Sequence, residues 1–203
     1  MEKLDYLLWE SASGLLDASL PGARSVTVQV ADDALPSTLL MGSGSSLAAV
    51  VSVWVASYDD RGPLEDVLRG LSPRVDGYLV TESEPQPDDP SRELLSHVTW
   101  FPKPERLSEE EFLRGWHEVH TPRSAELHPL RASYVRDTVV RTLTPGSPPV
   151  RAIVVERFEV GDYGDPRRLF GSTAALEQNM TDLPGYADLE TISCRPMRQV
   201  VLR

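Results

Sequence analysis

Hydrophobic and polar residues alternate along this chain with two periods, and the order of those periods predicts the fold. Val26, Val28 and Val30 alternate with polar residues, as in a half-buried strand, whereas Leu64, Val67 and Leu68 recur at helical spacing. The first half therefore reads strand, helix, strand, strand, helix, strand. The predicted ranges are 4–9, 11–20, 24–30, 47–56, 63–71 and 77–81.

The same order recurs in the second half, after a stretch from Glu84 to Ser91 that holds three prolines and two aspartates. The ranges predicted there are 97–101, 109–120, 132–143, 150–160, 165–179 and 191–202. We therefore predict an α+β chain with two ferredoxin-like β-α-β-β-α-β repeats. Residues 1–84 form a degenerate first repeat, 85–95 a linker, and 96–203 the second repeat.

Each predicted repeat has a sheet that is covered by helices on one face only. A bare apolar face needs a second layer, and the other repeat of the same chain can supply it. We therefore expect an intrachain pseudo-dimer in which two antiparallel sheets form one α/β barrel. The sequence leaves open whether two chains also associate as a homodimer.

The sharpest local signal is the predicted start of a helix at Glu109. Ser108 and Glu111 have the spacing of a capping box. At 3.6 residues per turn, Phe112, Trp116 and His120 fall in one row on the apolar face. Pro122 disfavours helical geometry in the residue before it, so the helix is expected to end with His120 in its last turn.

This stretch resembles the EthD family, a branch of the dimeric α/β-barrel proteins. The residues that carry the resemblance are Lys103, Pro104, Leu107, Ser108, Trp116, His120, Pro122, Leu127, Pro129, Leu130, Arg131 and Tyr134. In that family His120 matches a recurrent histidine, whereas His117 matches none. The resemblance implies a small apolar cavity between the second sheet and its helices, and chemistry that needs no cofactor.

Aromatic residues of the same stretch are the candidate walls of that cavity. We expect Trp100, Phe112 and Trp116 to bind a flat aromatic or polyketide-like ligand, with His117 at the rim. His120 is the candidate general acid or base, and Tyr134 the candidate hydrogen-bond donor to a developing oxyanion. The alternative is that His120 caps the helix end within a satisfied core. A helix end favours a charged imidazole and burial a neutral one, so the direction of its pKa shift stays open.

Metal binding is not expected. His117 and His120 belong to an HEVH sequence, which is one residue short of the zinc-binding H-E-x-x-H motif. No third ligand is fixed by the sequence, although Glu126 and His128 are near. The candidate site therefore contains no metal and no cofactor.

Composition removes several classes of function. A net charge of −11 over 203 residues argues against nucleic acid as a partner. No run reaches the roughly 18 apolar residues that a membrane helix needs, and the amino terminus lacks a signal-peptide pattern. The single cysteine, Cys194, fits a reducing compartment, so we expect a cytoplasmic protein.

Two functions remain. The first is a cofactor-independent enzyme that cyclises, isomerises, dehydrates or decarboxylates an aromatic or polyketide-like molecule, with cofactor-free oxygenation as a related reaction implied by the EthD resemblance. The second is a non-catalytic protein that binds such a molecule or assists a neighbouring enzyme. The first repeat lacks an equivalent of the Trp116, His120 and Pro122 pattern, so one site per chain is expected.

Overall fold

The computed structural model describes residues 1–35, 40–87, 89, 92–159, 161, 164–165 and 169–202. Eight antiparallel strands form one closed barrel. The strands are β1 (Glu2–Trp9), β2 (Ser25–Ala31), β3 (Leu47–Val55), β4 (Arg74–Gln86), β5 (Leu95–Pro102), β6 (Ser133–Thr142), β7 (Val150–Phe158) and β8 (Ser193–Val201).

The order of strands around the barrel is β1-β3-β2-β8-β5-β7-β6-β4. Each half of the chain thus contributes four neighbouring strands, in the order β4-β1-β3-β2 and β8-β5-β7-β6. The halves join twice by backbone pairing, with Val28 opposite Val200 and Thr81 opposite Thr138. The expected barrel within one chain is confirmed, and its two sheets are continuous at both edges.

The barrel interior has an apolar end and a polar end, because successive side chains of a strand point to opposite faces. On β1, Leu7 and Trp9 pack in the apolar interior, whereas Lys3 and Asp5 lie buried at the other end. The intervening residues of β1 pack outside the barrel against a helix of the first half, as Leu8 does.

Within the described residues, five helical segments cover the barrel. They are α1 (Gly62–Leu71), α2 (Glu109–Leu113), a wider turn of π-helix type (Arg114–His120), α3 (Thr121–Leu127) and α4 (Thr173–Asp182), in addition to short 3-10 turns. α1 covers the first half, and the other four lie on the second half. No helix within the described residues is long and apolar enough to span a membrane.

Two predicted helices differ from the structure in the first half and near the carboxyl end. Residues 11–20 contain only a 3-10 turn, Leu15–Asp17, because Gly14 before it adopts a left-handed conformation that ends any helix (φ 79°). α4 runs from Thr173 to Asp182, and residues 166–168 of the predicted helix range 165–179 lie outside the described residues. Gly171 has a positive φ, and the side chain of Ser172 caps the first turn.

The ends of β4 and β5 fall within the range predicted as the linker. β4 continues to Gln86 and β5 begins at Leu95, so both strands extend into the range 85–95. Residues 88, 90 and 91 of this range lie outside the described residues.

Candidate functional site

A cavity of about 210 Å³ lies between the outer face of the second-half strands and their helices. Side chains of β5, β6, β7 and β8 form its floor, and the π-type turn, α4 and the 183–192 segment form its walls. Most of the lining is apolar. Its polar side chains are His97, Thr99, His120, His128, Tyr134, Glu156, Asn179, Tyr186 and Cys194.

The helix that carries His120 does not end where the sequence predicted. The capping box at Ser108 and Glu111 is confirmed, but Thr121 keeps helical dihedral angles and α3 continues to Leu127. The amide of Thr121 bonds to the carbonyl of Trp116, five residues back, which widens the turn. Pro122 then occupies the first turn of α3, where its missing N–H is tolerated.

Gly115 brings this helix close to the segment that carries Tyr186. A Cβ at Gly115 would lie 2.1 Å from the carbonyl oxygen of Gly185, so only glycine permits the approach. Tyr186 consequently stacks on His120, with ring centroids 4.4 Å apart. The Tyr186 hydroxyl lies 3.4 Å from His120 Nε2.

His120 is held as a neutral imidazole at the cavity wall. The side chain is 8% exposed, and burial lowers its pKa to about 4 despite the partly opposing charge of Glu156. His120 Nδ1 is buried without a hydrogen-bond partner in the described part of the chain. When Nε2 carries the proton and donates to Tyr186, Nδ1 has a free lone pair that can accept a proton.

Tyr134 lines the same cavity and remains protonated. Burial, followed by the charge of Glu156, raises the pKa of Tyr134. Trp116 Nε1 donates to the Tyr134 hydroxyl oxygen at 3.2 Å, and the Arg131 guanidinium lies 4.2 Å above the Tyr134 ring. The Tyr134 hydroxyl therefore has two side-chain partners, Trp116 and Thr121, and a ligand oxygen would compete with Thr121 for the Tyr134 proton.

An ion pair lies behind the three histidines of the cavity. Arg131 is buried and donates to Glu156 at 2.6 Å, while Gln86 and Ser124 hold the rest of its guanidinium. Burial alone would raise the pKa of Glu156, but His128, Arg131 and His97 lower it to about 2. At neutral pH the imidazoles are uncharged, so Arg131 is the permanent cause and Glu156 stays a carboxylate.

The structure separates the residues that the sequence had grouped as one site. His120, Tyr134 and Trp116 line the cavity. Trp100 is on the opposite face of β5, inside the barrel, where it packs edge-to-face on Trp9. Its neighbour Phe101 takes the expected place, because successive strand residues alternate.

Two further predicted residues lie outside the cavity lining. Phe112 is buried behind Trp116, with ring centroids 5.7 Å apart. His117 stacks on Trp116 and lies 3.3 Å from the Thr138 hydroxyl, and it contributes nothing to the lining.

Seven of the polar cavity residues were not among the site residues predicted from the sequence: His97, Thr99, His128, Glu156, Asn179, Tyr186 and Cys194. His97 and Glu156 were assigned only as parts of strands. In the alternation of side chains along their strands, both point to the face that lines the cavity, as Phe101 and Tyr134 do. Alternation along β5 and β7 was therefore the usable signal. Within the described residues no three His, Cys, Asp or Glu side chains are grouped so as to hold a metal ion.

Because its buried histidines are neutral, the protein is expected to lose stability already at mildly acidic pH. The folded pKa of His120 is about 4 against a usual 6.5, so the unfolded chain binds more protons between these values. Stability present above pH 6.5 is therefore lost as the pH falls towards 4. His120 alone should account for about 1–2 kcal/mol between pH 7 and pH 5. Urea unfolding at both pH values measures this, and His120→Gln should flatten the dependence; an unchanged slope would contradict the burial of a neutral ring.

Comparisons with known proteins extend the description of the fold. No family model and no curated protein matches the sequence. Among solved structures, one described as an anthrone oxidase-like protein superposes with a TM-score of 0.59 at 10% sequence identity. The match covers 98% of this chain and 90% of that chain. At this identity the similarity establishes a shared α/β-barrel fold, and nothing about chemistry.

Proposed function

We propose that this chain binds a small aromatic or polyketide-like molecule in the cavity and transfers a proton to or from it without a cofactor. The observation that carries the proposal is the buried, neutral His120, whose Nδ1 has no partner among the described residues, in a cavity that the protonated Tyr134 also lines. His120 would remove a proton from an acidic carbon or phenol of the ligand. Tyr134 would donate a hydrogen bond to the oxygen on which negative charge develops.

Glu156 supports the base without touching the reacting atoms in this scheme. Its carboxylate raises the pKa of His120 and so stabilises the imidazolium formed by proton abstraction. Arg131 keeps that carboxylate ionised. The step leaves an enolate or phenolate next to an imidazolium. The imidazolium then gives the proton to a different atom of the ligand, which forms an isomerised product and restores neutral His120.

The size and lining of the cavity favour a small aromatic ligand. An apolar protein cavity of about 150 Å³ takes up benzene, so about 210 Å³ suits a substituted ring or a compact fused system. Phe101, Trp116 and Phe158 offer aromatic surface. The solved structure that shares this fold is described as anthrone oxidase-like, and an anthrone is an aromatic ketone, which is consistent with the ligand class proposed here.

We also propose that the two halves are ferredoxin-like repeats related to the EthD family. The order β4-β1-β3-β2 and its counterpart in the second half support this relation, together with the residues of the EthD-like stretch. The reduced helix between β1 and β2 is consistent with a first repeat that serves only the fold, leaving one site per chain.

A second candidate is sequestration without catalysis. The observation in its favour is the pKa of His120, which at about 4 makes this imidazole a weak base. A protein that only binds the molecule would need the apolar cavity and the hydroxyl of Tyr134, but no base.

Ligand binding is tested by thermal unfolding against a panel of hydroxylated aromatics, quinones and lactones. A ligand at 100 times its dissociation constant should add about 2.7 kcal/mol of stability to the wild type. Thr99→Phe places a ring in the cavity and should abolish the shift. Val140→Phe adds the same ring at an exposed strand position and should retain it. If no compound stabilises the wild type, the small-molecule function is wrong.

A further inference from the structure

A second cavity, of about 340 Å³, lies at the polar end of the barrel interior. Seven strands contribute inward-facing side chains to it. It shares no lining residue with the first cavity, because neighbouring residues of a strand face opposite ways: Ser133 and Arg157 line the interior cavity, whereas Tyr134 and Glu156 line the outer one. The barrel wall therefore separates two chambers.

Charged groups are buried at the inner end of this chamber. The Lys3 ammonium donates to Glu82 at 2.5 Å and to Asp137 at 2.7 Å, and Ser52 donates to Asp5. Burial raises the pKa of both Asp5 and Asp137, while the neighbouring Lys3 ammonium acts in the opposite direction.

The chamber as a whole has an excess of negative charge. Among the described residues, the basic side chains of the chamber are Lys3 and Arg157, and the acidic ones are Glu82 and Glu84, with Asp5 and Asp137 behind Lys3. Glu84 lies exposed at the mouth, so it imposes a negative potential on the entrance. Because acidic groups outnumber basic ones, the chamber favours a cationic occupant.

Buried polar atoms in the wall also lack partners. Ser133 is 0% exposed and its hydroxyl oxygen has no hydrogen bond among the described residues, and Gln29 Oε1 is in the same state. Both can accept a hydrogen bond, and buried polar groups are rarely left unpaired in folded proteins. Their position in a cavity wall indicates an occupant that donates hydrogen bonds.

We propose that the interior chamber binds a small organic cation of the primary-ammonium class. An ammonium group carries three N–H donors, and the chamber wall offers acceptors at Ser133, Gln29 and Glu82. Its carbon chain would lie against Trp54, Val155 and Val201 near the mouth. The site is independent of the proposed chemistry at His120.

Calorimetric titration with n-propylamine hydrochloride tests the proposal, with 1-propanol as the neutral probe of the same shape, at pH 7 and matched ionic strength. We expect one amine to bind per chain and the alcohol not to bind. Ser133→Ala and Glu82→Gln should each weaken amine binding, the latter by about tenfold since a charged hydrogen bond is lost. Asn179→Ala, in the outer cavity, should leave amine affinity unchanged.

Glu84→Gln provides a variant that is safe for folding, because its side chain is exposed. It removes one negative charge at the mouth and should weaken amine binding severalfold, with a smaller dependence on salt. The proposal is overturned if the amine does not bind, if amine and alcohol bind equally, or if affinity is unaffected by Ser133→Ala and Glu84→Gln. If the amine does not bind, the chamber holds water only.

Discussion

Replacement of His120 by alanine is expected to leave ligand binding nearly intact while lowering turnover by about 10²- to 10⁴-fold. The imidazole would supply the proton acceptor in the cavity that Tyr134 also lines, whereas the aromatic walls that bind the ligand stay in place. Turnover is measured as exchange of the acidic C–H proton of a stabilising panel compound with D₂O, followed by NMR. This assay detects proton abstraction whatever reaction follows it.

Glu118→Gln is the matched control, since Glu118 lies two residues away on the same turn and is exposed. It should exchange protons at the wild-type rate. If His120→Ala binds the ligand and exchanges its proton as fast as the wild type, His120 is not the base and sequestration becomes the better account. If neither protein exchanges any bound compound, catalysis fails while binding stands.

The pH profile adds a readout that a structural role would not produce. A base must be deprotonated to act, and the pKa of His120 is about 4, so kcat/KM should be constant near neutrality and fall as the pH approaches 4. Glu156→Gln removes the charge that raises this pKa. It should therefore lower the rate while shifting the inflection to still lower pH.

Sequence patterns predicted the barrel well, because alternation and helical spacing are local. Seven of the eight strands lie close to their predicted ranges, and the capping box at Ser108 is present. The prediction missed the last part of β4, which continues to Gln86. This part is polar because it faces the charged end of the interior instead of an apolar core. Hydrophobicity alone could not identify such a strand.

The site was predicted less completely, for two physical reasons. His120 and Tyr134 were found because they belong to one short stretch, whereas His97 and Glu156 come from strands that meet only in the barrel. Trp100 was misplaced by one residue, since the sequence does not say which parity of β5 faces outward. The pKa of His120 depends on burial by Tyr186, which is 66 residues away in sequence.

Arg131→Met is expected to destabilise the protein by about 3–5 kcal/mol, because it leaves the Glu156 carboxylate buried without its cation. Arg131 is only 2% exposed in its side chain and Glu156 15%. Urea unfolding at pH 7 measures the loss. Arg123→Met is the control: Arg123 pairs with Asp182 at the surface, with 49% of its side chain exposed, and should cost at most about 1 kcal/mol.

A double variant separates the loss of packing from the loss of charge compensation. Arg131→Met with Glu156→Gln removes both charges, so most of the lost stability should return. The pH dependence gives the same distinction. In the single variant the unpaired Glu156 acquires a raised folded pKa, so its deficit relative to the wild type should shrink between pH 7 and pH 5. If the double variant is no more stable than the single one, Arg131 stabilises the fold by packing on Tyr134 and by its bonds to Gln86 and Ser124, and the carboxylate beside His120 needs another source of compensation.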